Sequence, residues 1–195
     1  MSGLRAAAIG LLVTVSSWCA ATSAHAAEAP ATLHLSVAVC DAEQVPPPLM
    51  AAAERIAGDA YRGIGVTLDW IDEACGVSER GLSVSLIARS TSEIEVSNLT
   101  LGFAEPGTSA ATVLYDRVDA FARHYRVRPE VLLGYVMAHE LGHLLLPPHS
   151  HSPAGLMRAT LDMEHAAAQE LRFTHEQGEL IVRKIEALPV ALATH

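Results

Sequence analysis

Apolar residues recur with two different periods along this chain of 195 residues, and the change of period constrains the fold more than any other feature. Alternating apolar positions are typical of half-buried strands, and helical spacing predicts amphipathic helices. The period-two segments come mostly before the later helices, which favours an α+β fold or an α/β sandwich over a doubly wound sheet. The predicted strands are 33–39, 66–70, 82–88, 99–103 and 111–115; the predicted helices are 48–60, 129–145 and 174–188.

Proline and capping residues mark the helix boundaries. Pro46-Pro47-Pro48 and Pro129 stand where two of the helices begin, and proline is favoured at the first helical position. Pro147-Pro148 stops the second helix, because the residue before a proline avoids the α region, so Leu146 is expected to be extended. Thr174 with Gln177 resembles a capping box at the start of the last helix.

The composition indicates a single acidic globular domain. Half of the residues are apolar and 18% are charged, which excludes a disordered or fibrous chain. The formal net charge of −9 argues against nucleic acid as a partner, since such binding needs a basic surface. No apolar run reaches the roughly 18 residues of a membrane span, so no integral membrane segment is expected after the N-terminal segment is removed.

The first 26 residues have the pattern of a secretory signal peptide. Arg5 is the only charged residue before Glu28, an apolar run follows at 6–15, and Ala24-His25-Ala26 has the small-residue ending of a cleavage site. We expect cleavage after Ala26, which leaves 27–195 as one domain that is secreted or periplasmic. A buried N-terminal helix is the alternative, and the short run at the extreme N-terminus argues against it.

Two cysteines remain after this cleavage, Cys40 and Cys75. An even pair in an exported protein predicts a disulfide between them. Two free buried thiols are the alternative, because spacing alone does not give the geometry that a disulfide needs.

The segment 139–149 carries the clearest chemical signal. His139 and His143 are four residues apart on the helix predicted at 129–145, so their imidazoles project from one face. Two nitrogens placed in this way can bind one Zn²⁺ ion. Glu140 would lie beside such an ion rather than on it, where its carboxylate can take a proton from water and pass it to a leaving amine.

The third ligand is expected to be His149, ten residues after the first histidine. It lies beyond Pro147-Pro148, so the chain has to turn sharply to return it to the metal. His151 is the competing candidate, and a carboxylate on a later segment, such as Glu164 or Glu170, is another.

These residues resemble the metzincin zinc peptidases, and Ser150 after His149 together with Gly155-Leu156-Met157 resembles their matrixin branch most closely. Two positions depart from the family pattern, since Leu146 stands in place of a glycine and Ala159 in place of a proline. The resemblance implies one catalytic zinc ion, Glu140 as the acid/base, Met157 in a methionine turn beneath the metal, and three ligands: His139, His143 and His149.

The resemblance also implies a fold and a way of binding substrate. The fold is a mostly parallel twisted sheet of about five strands with an antiparallel edge strand, two helices packed on it, then the methionine turn and a C-terminal helix. In that fold the fourth strand pairs with the extended backbone of the substrate, and Leu99, Leu101 and Phe103 would take this role.

The sequence therefore predicts an exported, monomeric zinc endopeptidase that acts on proteins or peptides. A zinc-stabilised module that binds peptides in the same cleft without cleaving them is the main alternative. A secreted sandwich with coincidental histidines is the other. Metal analysis tests the second alternative, and peptide cleavage tests the first.

Overall fold

The computed structural model describes residues 32–72, 81–88, 99–105 and 107–188. The signal peptide predicted at 1–26 lies outside these residues, and so does Cys75. Cys40 is disulfide-bonded, and its pairing with Cys75 stays a prediction. In the part of the chain that is described, no helix is long and apolar enough to cross a membrane.

Five strands and five helices are formed by the described residues. The predicted strands are all present, and two helices that the sequence did not predict, Tyr115–Tyr125 and Met163–Ala167, are added. In chain order the elements are β1 (Leu33–Asp41), α1 (Pro47–Arg62), β2 (Val66–Asp72), β3 (Leu82–Ile87), β4 (Gly102–Ala104), β5 (Ala110–Leu114), α2 (Tyr115–Tyr125), α3 (Pro129–Leu145), α4 (Met163–Ala167) and α5 (His175–Glu186).

The strands form one sheet in the order β2-β1-β3-β5-β4. β1 runs parallel to β2 and β3, and β3 runs parallel to β5. β4 is antiparallel to β5 and forms an edge of the sheet, with Gly102 opposite Val113. This confirms the expected α+β fold with its mostly parallel sheet and antiparallel edge strand. β4 is shorter than predicted, because Leu99 lies in a turn rather than in the strand.

Helix α3 is the central helix of the fold. Every residue from Val131 to Gly142 is buried, because α1 packs closely against it and the sheet lies near it. Gly134 permits this close contact with α1: a Cβ there would lie 2.6 Å from the Ala53 carbonyl oxygen. α3 ends as predicted, with Leu146 extended before the two prolines (φ −96°, ψ 159°). The buried helix therefore delivers its last turns to a fixed place beside the sheet.

The C-terminal helix α5 begins with the predicted capping box. Thr174 Oγ1 accepts a hydrogen bond from the Gln177 main-chain N–H, and Gln177 Oε1 accepts one from the Thr174 N–H. Ile181 and Ile185 are fully buried in the common core. The Gln177 side chain also donates to the Ser150 carbonyl oxygen, which connects the start of α5 to the loop that follows α3.

Candidate metal centre

Three histidines bring their ring nitrogens together at the end of α3. His143 Nε2 lies 3.1 Å from His139 Nε2 and 3.1 Å from His151 Nε2. His139 and His143 come from successive turns of α3, as their spacing predicts, and His151 comes from the loop that follows. Among the described residues, this is the one group of three or more His, Cys, Asp or Glu side chains arranged to hold a metal ion.

The third member of the cluster corrects the prediction made from spacing. His151 places its ring nitrogen beside those of the other two histidines. His149 lies outside the cluster, and the side chain of His149 is exposed. The chain turns at His149, whose backbone has a left-handed conformation (φ 62°), and it returns to the cluster two residues later. Glu164 and Glu170, the carboxylates considered as ligands, are both exposed and lie outside the cluster.

The donor set fits a zinc ion. Imidazole nitrogens that share one tetrahedral Zn²⁺ at roughly 2.0–2.1 Å are about 3.3 Å apart, close to the separations in this cluster. Burial lowers the pKa of His139, and burial with the two neighbouring histidines lowers the pKa of His143 to about 4. Both rings are therefore neutral at physiological pH, which is the form that binds a metal.

Hydrogen bonds on the far side of two rings fix which nitrogen faces the cluster. His139 Nδ1 lies 2.8 Å from the Leu156 carbonyl oxygen, which can only accept, so this nitrogen carries the proton and Nε2 is free to bind a metal. Ser150 Oγ lies 3.3 Å from His143 Nδ1 and can accept a hydrogen bond from it. The sequence predicted His139 and His143 as ligands, but it gave no sign of these hydrogen-bond partners, because both lie in the irregular loop.

Met157 packs against the helix that carries the first two histidines. It is fully buried, and a Cβ on Gly142 would lie 2.6 Å from its sulfur atom. Gly142 immediately precedes His143, so Met157 supports α3 at the turn where the cluster forms. The preceding residue, Leu156, provides the carbonyl group that orients His139. The residue proposed for the methionine turn and the ligands therefore lie in one packed unit.

Glu140 is buried against the edge strand and directly follows His139 in α3. Only 5% of it is exposed, and burial raises the pKa of its carboxyl group to about 8. Strand β4 passes next to it, because a Cβ on Gly102 would lie 3.1 Å from Glu140 Oε1. The carboxyl group of the residue that follows His139 thus lies against the edge of the sheet.

The two sides of the edge strand β4 differ in their main-chain hydrogen bonds. Leu114 N–H donates to the Leu101 carbonyl oxygen, and Glu105 N–H donates to that of Ala110. Because main-chain groups alternate in direction along a strand, those of Gly102 and Ala104 point away from β5, to a side on which no described strand pairs with β4. This register corrects the residues predicted to pair with the substrate backbone: Leu99 lies in a turn, and Leu101 and Phe103 direct their main-chain groups to β5.

No protein-family model matches the chain, and no curated protein sequence does either. The structure is similar to the crystal structure of archaemetzincin from Methanopyrus kandleri, with a TM-score of 0.52 and 17% identity over 78% of this chain and 96% of that chain. It is also similar to a zinc-dependent peptidase from Methanocorpusculum labreanum (strain Z), with a TM-score of 0.50 and 12% identity over 74% of this chain and 99% of that chain. At these identities the similarity shows the fold, which is of the metzincin type.

Proposed function

We propose that this protein is a zinc-dependent endopeptidase that hydrolyses peptide bonds within proteins or peptides. The observation that carries the proposal is the cluster of His139, His143 and His151 next to the buried carboxylate of Glu140. A structural zinc site is usually closed by a fourth protein ligand, whereas a catalytic site keeps that position for water or substrate. In the described residues the cluster has three ligands, which fits the catalytic kind.

Zinc bound to the three histidines would polarise the peptide carbonyl group and lower the pKa of water to about 7. Glu140 would take the proton from the attacking water at its carboxylate and then deliver it to the leaving nitrogen. Its position favours this role, because Glu140 directly follows the ligand His139 in α3, is buried, and is not itself a member of the cluster. Leu156 would keep His139 in the tautomer that the metal needs.

The side of β4 that faces away from β5 is proposed to bind the substrate. The outward main-chain groups of Gly102 and Ala104 can pair with an extended peptide, which would join the sheet as a further strand. Since Gly102 lies against Glu140, a peptide held along this edge would pass close to the carboxylate. The main-chain pairing accounts for binding without demanding a particular sequence.

Three further parts of the proposal rest on the sequence. Export depends on the signal-peptide pattern of residues 1–26, and it would place the mature chain in the periplasm or outside the cell. The matrixin branch rests on the resemblance at Gly155-Leu156-Met157. The mature chain is proposed to act as a monomer.

A direct test uses mature protein loaded with zinc and a random peptide library read by mass spectrometry. Wild type should cleave internal bonds, and a chelator should stop the cleavage. Glu140→Gln keeps the size of the side chain but cannot carry the proton, so it should retain zinc while hydrolysis falls about 10²- to 10⁴-fold. Zinc-loaded wild type that cleaves nothing in the library would instead support a module that only binds peptides.

A further inference from the structure

Gln177 links helix α5 to both sides of His151. Its side-chain Nε2 donates to the Ser150 carbonyl oxygen at 3.3 Å and to Ser152 Oγ at 3.1 Å. Its Oε1 accepts from the Thr174 N–H at 3.0 Å as part of the capping box. The amide of one side chain thus caps a helix and holds the two residues that flank the third histidine.

We infer that Gln177 is a positioning residue for the third metal ligand. It acts through the loop and does not touch the metal centre itself. The inference rests on the proposed zinc centre, but it does not depend on the protein being a peptidase.

The loop needs such support more than the helix does. His139 and His143 are fixed by α3, whereas His151 lies in irregular chain that has just passed through the left-handed residue His149. The main chain next to His151 has a hydrogen bond from Ser152 N–H to the Met157 carbonyl oxygen. Holding a loop residue in one place costs conformational entropy, and each added hydrogen bond offsets part of that cost.

The chemistry at Gln177 is specific to an amide. Its oxygen faces a donor, the Thr174 N–H, and its NH₂ group faces two acceptors, the Ser150 carbonyl and the Ser152 hydroxyl. The residue is only 7% exposed, so water does not readily replace these bonds. Glutamate serves as well as glutamine in a capping box, but it has no hydrogen to donate to the loop when ionised.

Gln177→Glu therefore separates the two roles of this side chain. The variant should keep the helix cap but lose both bonds to the loop, and its zinc dissociation constant should rise about 10- to 100-fold, as is usual when a partner behind the ligands is lost. Gln177→Met also loses the oxygen of the cap, but it adds no charge, so the same rise in both variants would assign the effect to the lost donors. Zinc affinity is measured by competition with a chelator of known affinity.

Thr174→Val is the matched control. It removes the hydroxyl that accepts from the Gln177 main-chain N–H but leaves both side-chain bonds to the loop. Its Tm without metal should fall because the cap is lost, while its zinc dissociation constant stays within about twofold of wild type. Amide hydrogen exchange at Ser152, measured without metal, should become faster in Gln177→Glu than in Thr174→Val.

Two outcomes would overturn the inference. The first is unchanged zinc affinity in Gln177→Glu and Gln177→Met, and the second is an equal loss of affinity in Thr174→Val, which would show a general effect of α5 stability. A third result, wild-type protein that does not retain zinc, would overturn the metal centre together with this inference. Wild type that retains zinc without cleaving peptides would overturn only the peptidase proposal.

Discussion

Gly102 leaves the space that the Glu140 side chain occupies: a Cβ on the glycine would lie 2.9 Å from Glu140 Cγ. The Cβ on Gly102 would also lie 2.8 Å from the Thr112 carbonyl oxygen of the neighbouring strand β5. The glycine is therefore enclosed between the carboxylate and its own sheet. The edge strand and the buried acid fit together only while position 102 has no side chain.

Gly102→Ala should disturb this contact without removing a metal ligand. Either the strand or Glu140 has to move, and overpacking of this kind typically costs about 1–3 kcal/mol. We expect a lower free energy of unfolding, reduced peptide hydrolysis and unchanged zinc content.

Gly58→Ala is the control for Gly102→Ala, because its Cβ would meet nothing closer than Arg62 Nη2 at 3.8 Å. In the middle of α1 that change should stabilise the protein by roughly 0.5–1 kcal/mol. Full activity in Gly102→Ala would contradict the close fit.

The metal-free protein should become less stable relative to Glu140→Gln as the pH rises from 4.5 to 8. Burial raises the pKa of Glu140 from its ordinary value of 4.5 to about 8, so in this range the folded state binds more protons than the unfolded state. Stability contributed by the protonated form is then lost with increasing pH, by up to about 4 kcal/mol at pH 8. Glutamine does not titrate, and the histidines are common to both proteins. Urea unfolding of both proteins at pH 5 and pH 8 measures the amount by which the free energy of unfolding of wild type falls below that of Glu140→Gln. This difference should be larger at pH 8.

Removal of the third ligand distinguishes the two candidate histidines. His151→Ala should weaken zinc binding more than about 100-fold, beyond the loss usual for partners behind the ligands. His149→Ala should leave binding nearly unchanged, because that side chain lies outside the cluster. Chelator competition measures both constants. A stronger effect of His149→Ala would restore the assignment made from spacing alone.

The disulfide of Cys40 predicts the number of free thiols in the mature protein and the effect of replacing Cys75. If its partner is Cys75, unfolded protein from an oxidising compartment should show no free thiol. Cys75→Ser should then lower the free energy of unfolding by about 2–4 kcal/mol. Titration of unfolded protein with a thiol reagent checks the pairing, and two reactive thiols would contradict it.

Local sequence pattern predicted the elements whose apolar residues recur regularly or whose ends carry proline. The strands show the first signal. Helix α3 shows the second, since Pro129 and Pro147 delimit it although every residue from Val131 to Gly142 is buried. Helix α2 was missed because it follows β5 without a break: its N-cap is Leu114, which offers no side-chain capping group. Helix α4 has five residues, too few for a period, although Asp162 caps its start.

At the metal centre, the sequence likewise predicted the two ligands on the helix but not the ligand in the loop. The spacing of His139 and His143 fixes their positions, because a helix relates residues four apart geometrically. No such rule relates His143 to His151, since the path between them depends on the turn at His149 and on the contact with Gln177. The third ligand therefore depends on tertiary contacts that spacing does not encode.

The bonds from Gln177 to the His151 loop have a consequence for the order of events during synthesis. All three imidazoles are present once the chain has been made as far as His151, but the residue that holds the third one follows 26 positions later. A nascent chain that stops short of α5 has every ligand atom and lacks the support for one of them. Tight metal capture is thus expected only after the last helix has been made and has docked, so an unfinished chain would remain unloaded.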